Sequence, residues 1–176
     1  MHIAYFPDAS LTQAILKLIY AAALCYGCIS DVRYFKIPNF IPAAAVTLFF
    51  LNYWLQSPQE GLLQHAAAGG LVFLLSFGLY LAGTMGAGDA KLISALMLWA
   101  GVKDGPAFLI VMTFTGGLMA ALLLALRSSM ANWPEVQYYL PSRRLKTWAA
   151  RGVLPYGIAI CLAGLILMPS FFAPPR

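Results

Sequence analysis

Six apolar runs separated by short polar breaks organise this chain, at about residues 11–30, 40–55, 62–83, 90–102, 107–126 and 153–168. A helix crossing a bilayer needs about 20 apolar residues. The pattern therefore predicts an all-α, polytopic integral membrane bundle of about six transmembrane helices, forming a single membrane-embedded domain over residues 1–176. The breaks carry their own signals. Pro38 disfavours helix at the residue before it, so the chain bends between the first and second runs. Pro58 and Glu60 mark the next turn, and Lys103 to Pro106 mark the turn after the short fourth run. Gly69-Gly70 with Ala66 to Ala68, and Gly116-Gly117, offer small-residue faces for close helix packing.

Composition agrees with this reading. The chain is 61% hydrophobic and 10% charged, with a mean hydropathy of +0.78, values that belong to a membrane protein. The net charge of +5 is therefore read as orientation, not as nucleic-acid affinity. Arg33, Lys36, Lys91, Arg127, Arg143, Arg144, Lys146 and Arg151 follow the first, third and fifth runs, whereas only Lys17, Lys103 and Arg176 lie on the other side. Basic residues favour the cytoplasm, so both termini are expected on the extracytoplasmic side. Residues 1–10 lack a basic region and include Asp8, unlike a signal peptide. The connection over 127–152 mixes its cations with Trp133, Tyr138, Tyr139 and Trp148. It reads as a segment lying on an anionic leaflet or as one that grips substrate. Cys25, Cys28 and Cys161 all fall in apolar runs, and one Cys-x-x-Cys without a second pair reads as small core residues. No metal and no cofactor is expected.

Of the six acidic residues, Asp8, Glu60 and Asp104 fall on the outer side and Glu135 in the long inner connection. Asp31 and Asp89 remain, at the inner ends of the first and fourth runs. An Asp at a helix centre costs about 2.5–3.5 kcal/mol on insertion scales, so an acid at the membrane edge is a candidate for function. Asp89 sits in Gly86-Ala87-Gly88-Asp89-Ala90-Lys91, where the glycines permit a sharp turn and close approach by another backbone. A plain helix cap is the competing reading. Arg33 and Lys91 each follow an acid at i+2, where helical side chains do not face one another, so these cations point to headgroups or substrate. Two carboxylates brought together cannot both ionise easily and share a proton. Such a pair can activate a water against a peptide carbonyl and protonate the leaving amine. The histidines, His2 and His65, lie on the outer side, and no serine or cysteine has an obvious base nearby. His65 reads as interfacial.

At these residues the chain resembles the type IV prepilin peptidases. Asp31, Arg33, Ile37, Pro38 and Asn39 match Asp-x-Arg-x-x-x-Ile-Pro-Asn, and Gly86, Gly88, Asp89, Lys91 and Leu92 match Gly-x-Gly-Asp-x-Lys-Leu, 58 residues further on. Leu154-Pro155-Tyr156-Gly157 is similar to the segment that opens the family's last helix. The resemblance implies a bacterial inner-membrane aspartic endopeptidase of the GxGD type, with Asp31 and Asp89 catalytic at the cytoplasmic face. Arg33, Pro38, Asn39, Gly86, Gly88 and Lys91 would support them. Its implied partners are membrane lipid and the precursors of type IV pilins, Flp-type pilins or pseudopilins, whose basic leader is removed. The long members carry a cytoplasmic insert with two Cys-x-x-Cys pairs and also methylate the new N-terminus. Asp31 follows the first run directly here, so neither methylation nor zinc is expected, and the short form looks like the peptidases of tight-adherence pilus systems. A small proton-coupled transporter, with the two Asp as a relay, is the alternative from another class.

Overall fold

The computed structural model describes residues 9–56, 61–133, 135, 148 and 154–172, with side chains from residue 11 onward. It is all-helical, with no strand among the described residues. The helices are α1 (Ala9–Tyr34), α2 (Phe40–Gln56), α3 (Leu62–Leu81), α4 (Ala87–Asn132), α5 (Gly157–Ile166) and α6 (Met168–Phe171). Among them α1, over Leu11–Tyr34, α3 and α4 are long and apolar enough to cross a membrane, while α2 and α5 are apolar but shorter.

The expected fourth and fifth runs both lie in α4, which breaks at Gly101 (φ 60, ψ −164) into arms 87–100 and 102–132. The reversal comes earlier than the expected Lys103–Pro106 turn, because Gly101 can adopt a left-handed φ that other residues resist. Gly105 then packs on Met97, with the methionine Cε 2.5 Å from where a Cβ would sit. In an unbroken helix, residues eight apart are separated by about 12 Å along the axis, so the chain folds back here. His65 secures the break. Its Nδ1 lies 2.9 Å from the Leu98 carbonyl, an acceptor that the broken helix leaves open, and its ring packs on Phe49 and Tyr53. His65 thus has a structural part to play at the break. A methyl at Gly101 would meet the His65 ring at 2.9 Å in an unfavourable φ. Gly101→Ala is expected to cost about 1–2 kcal/mol, read as a lower unfolding midpoint in detergent.

The first arm of α4 is the axis of the bundle. Ala90, Leu92, Ile93, Ser94, Ala95, Leu96, Met97, Trp99 and Ala100 are all buried, the signature of a helix enclosed on every side. Around it, Trp99 packs against Tyr20 and Phe172 and donates its indole N–H to the Ala45 carbonyl at 2.8 Å. Tyr20 donates to the Gly164 carbonyl at 3.3 Å, joining α1 to α5. Ser76 reaches the Ala90 carbonyl and Ser94 across α3 and α4. A Cβ at Gly69 would lie 3.2–3.3 Å from Leu98 and the Ser94 carbonyl, whereas one at Gly70 would meet nothing within 4 Å, so only half of that glycine pair serves helix packing. The same holds for the second pair: Gly116 lies under the Tyr156 ring, and a Cβ at Gly117 would meet nothing within 4 Å. Lys17 lies over the Phe172 ring at 5.8 Å. By contrast α3 exposes Leu63, Leu71, Leu74, Leu75 and Leu81, the outward apolar surface expected of a helix facing lipid.

Helix ends set the positions of the acids. α1 runs past the expected end of the first apolar run, through Asp31 and Arg33, to Tyr34. Phe35, at φ 50, closes it in a left-handed conformation, its N–H still bonded to the Asp31 carbonyl at 2.9 Å. Pro42 lies in the first turn of α2, where a missing N–H costs nothing. α3 ends at Gly83 (φ 73), with the N–H groups of Gly83 and Thr84 bonded to the carbonyls of Tyr80 and Leu79. That is a Schellman cap, and it turns the chain toward the Gly86–Lys91 segment.

Candidate active site

Asp31 lies in the last turn of α1, where the negative end of a helix dipole disfavours an acid. It is also only 5% exposed. Nothing in α1 offsets these costs. The offset comes from α5, whose first backbone amides, those of Gly157 and Ile158, face the Asp31 carboxyl group. Amides at a helix N-terminus favour an anion. Oδ2 of Asp31 is fully buried and has no hydrogen-bond partner among the described residues, so one oxygen is left to serve something else. Gly157 is required here: a Cβ would lie 2.7 Å from that Oδ2 and 2.7 Å from Ile37 Cδ1.

Asp89 is the third residue of α4. The cap position belongs to Gly86, which has no side chain to bond the helix start. Asp89 is therefore not the cap residue that the plainer reading required, although it still gains from the positive helix end. Its Oδ2 lies 3.0 Å from where a Cβ on Gly86 would be. Asp31 and Asp89 lie within electrostatic reach of each other. The fold thus brings together two acids 58 residues apart in sequence.

A short strap holds this arrangement. Ile37, buried, packs directly on Gly88, with its Cβ 3.0 Å and its carbonyl oxygen 3.2 Å from where a glycine Cβ would be. Ser30 Oγ donates to the Lys36 carbonyl at 2.8 Å, and Lys91 Nζ donates to Asn39 Oδ1 at 3.0 Å. Gly88, Asn39 and Lys91 therefore tie the two motifs together, Pro38 shapes the bend, and Gly86 opens the helix. Arg33 is exposed and Asp31 buried, so the two point apart, as i+2 spacing implies. Ile37→Val removes the Cδ1 that rests against Gly157. Loss of one buried methyl group costs about 1 kcal/mol, expected as a small fall in unfolding midpoint.

Among the described residues no cluster of His, Cys, Asp or Glu could hold a metal ion. Arg143, Arg144, Lys146, Arg151, Tyr138 and Tyr139, read as a leaflet-bound or substrate-gripping segment, lie outside the described residues. Trp148 packs edge-on against Phe35 at 5.8 Å, which puts one member of that segment beside the strap. Sequence reasoning missed the part played by Gly157 and Ile158; a Pro-Tyr-Gly opening an apolar run was the available signal.

The model of the type IV leader peptidase family matches residues 18–121, a stretch that contains both acids and the strap. The chain belongs to this family. A type IV leader peptidase acts on prepilin-type substrates, so the protein is a peptidase whose substrates are of that general kind. The match ends before α5, so the amides that face Asp31 come from outside the part of the chain that carries the family signature. No curated protein and no solved structure matches the chain.

Proposed function

We propose that this leader peptidase is an aspartic endopeptidase of the GxGD type, with Asp31 and Asp89 as its catalytic pair. It removes the basic leader from type IV prepilins, Flp-type prepilins or pseudopilins at the cytoplasmic edge of the bacterial inner membrane. The observation that carries this reading is the convergence of two acids at helix ends, one of them buried with an oxygen unpartnered. The pair shares one proton. The ionised carboxylate takes a proton from water as the oxygen attacks the scissile carbonyl, and the protonated carboxyl donates to the developing oxyanion. Collapse of the tetrahedral intermediate breaks the C–N bond, and the amine leaves with a proton from the pair. This chemistry uses the protein's own groups throughout.

Six spans with both termini outside would place the pair at the cytoplasmic surface, where a leader retained in the cytoplasm meets an apolar mature segment. The distribution of basic residues supports that orientation. Pro38, Asn39, Gly86, Gly88 and Lys91 support the pair by fixing the strap and the start of α4, and Arg33 supports it from the exposed end of α1. Asp31 lies within α1 itself, with no insert between that helix and the acid, which favours a peptidase without methyltransferase activity. The test is co-expression with candidate pilin precursors from the same genome, read by mass. A precursor shortened by its leader is the expected result; precursors that stay at full mass beside a well-expressed protein contradict the reading.

A further inference from the structure

α5 is ten residues long, and a different tyrosine holds each of its ends. At the far end Tyr20 of α1 donates to the Gly164 carbonyl at 3.3 Å. At the near end stands Tyr156, the residue before the helix, whose side chain makes no capping bond. Its ring lies instead across Gly116 on the second arm of α4. A Cβ at Gly116 would sit 2.7 Å from the ring Cε2 and 2.9 Å from Cζ and from the hydroxyl oxygen, so any other residue there would displace the ring. We infer that Tyr156 is a positioning residue for the acid pair: its ring, braced on Gly116, holds the first turn of α5 where the Gly157 and Ile158 amides meet Asp31. The inference rests on the peptidase reading and adds to it a residue outside both acid motifs, acting through Asp31.

The link from ring to acid is short and stiff. The N–H of Gly157 belongs to the same peptide plane as the Tyr156 carbonyl, and that plane is rigid. The carbonyl accepts from Ala159 at 3.0 Å and from Ile160 at 3.3 Å, so it points into the helix and the N–H points out of its start. A helix leaves its first amides without internal partners, and here they face the Asp31 carboxyl group. The Ile158 N–H makes only a long bond, 3.4 Å, to the Pro155 carbonyl, and it faces Asp31 as well. A turn of Tyr156 about its own backbone bonds would therefore swing both amides off the acid. Pro155 is fully buried and its ring fixes its φ, so the freedom left at the helix start is that of Tyr156 itself. The contact on Gly116 removes it. The close approach is confined to the one glycine that the ring covers, since a Cβ at Gly117 would meet nothing within 4 Å.

Purified variants in vesicles with one precursor test this, with kcat and KM read separately. Tyr156→Ala is expected to lower kcat about tenfold with KM unchanged, as a small displacement at a reacting group does. Gly116→Ala, which pushes on the ring from α4, is expected to lower kcat by about the same factor, whereas Gly117→Ala and the ring-preserving Tyr156→Phe stay within about twofold of the wild type. With the ring gone a methyl at position 116 has room, so Gly116→Ala/Tyr156→Ala should be no worse than Tyr156→Ala alone. A loss carried by KM would place the ring against substrate and overturns the inference. So do losses that multiply in the double variant, or a lower unfolding midpoint in Gly116→Ala with kcat unchanged. Should Tyr156→Ala fail to fold, Gly116→Ala against Gly117→Ala decides. Spectra of the protein carrying isotope-labelled glycine follow the Gly157 amide without substrate: its resonance should move in Gly116→Ala and stay in Gly117→Ala. A wild-type protein that cuts no precursor overturns the peptidase reading, whereas a Gly157 resonance indifferent to Gly116→Ala overturns the positioning role alone.

Discussion

Asp31→Asn and Asp89→Asn are each expected to lower precursor cleavage at least ~1000-fold while leaving the helical bundle intact. Removing one member of an acid–base pair eliminates both proton transfers, because the pair must pass its proton back and forth. General acid–base catalysis contributes about 10²–10⁴-fold by itself, and stabilisation of the developing oxyanion adds to it. Asn keeps the shape of Asp, so packing around Gly157 and Gly86 is preserved. Asp31 is 5% exposed with one oxygen unpartnered, so even with the Gly157 and Ile158 amides facing it its charge adds little net stability. The Asn variants are expected to unfold at or above the wild-type midpoint in detergent. Cleavage within tenfold of wild type in either variant would mean that the acid concerned is structural.

Gly157→Ala is expected to reduce cleavage about 100-fold at a stability cost of only about 1 kcal/mol. The added methyl would lie 2.7 Å from Asp31 Oδ2, 2.7 Å from Ile37 Cδ1 and 3.0 Å from Asp31 Cγ. Side-chain ends can move to accommodate it, so the fold survives with mild overpacking. The group that moves is the carboxyl, however, and a displacement near 1 Å at a reacting group costs about 10²-fold. Ile37→Val clears the second contact but not the first. The double variant Gly157→Ala with Ile37→Val should therefore remain as inactive as Gly157→Ala alone. Recovery in the double variant would trace the defect to crowding at Ile37 and not to displacement of Asp31.

Local signals carried much of this structure. Pro38 marked the bend after α1, and the apolar runs gave every long helix. Gly86 to Lys91 marked the start of α4 with its acid. Where the reading departed from the structure, a non-local cause can be named. α1 continues through Asp31 to Tyr34 because nothing breaks its hydrogen bonds before Phe35 turns left-handed, a conformation no sequence rule assigns to phenylalanine. The reversal falls at Gly101 and not at Lys103–Pro106 because His65, from another helix, caps the break. One glycine of each pair packs and the other faces outward, a choice made by which helix arrives opposite it. The amides of Gly157 and Ile158 reach Asp31 only because α5 packs beside α1, more than 120 residues along the chain. The motifs located the acids, and tertiary packing supplies what faces them.

The joint action of the two acids is tested most directly by adding the double variant. Purified wild type, Asp31→Asn, Asp89→Asn and Asp31→Asn/Asp89→Asn would be placed in vesicles with one precursor, and its mass followed with time. Groups that work as a unit lose their activity together, so both single variants should be as inactive as the double, with no further loss on combining them. Single variants that each keep a measurable fraction of activity, with losses that multiply in the double, would show two independent groups in place of a shared pair.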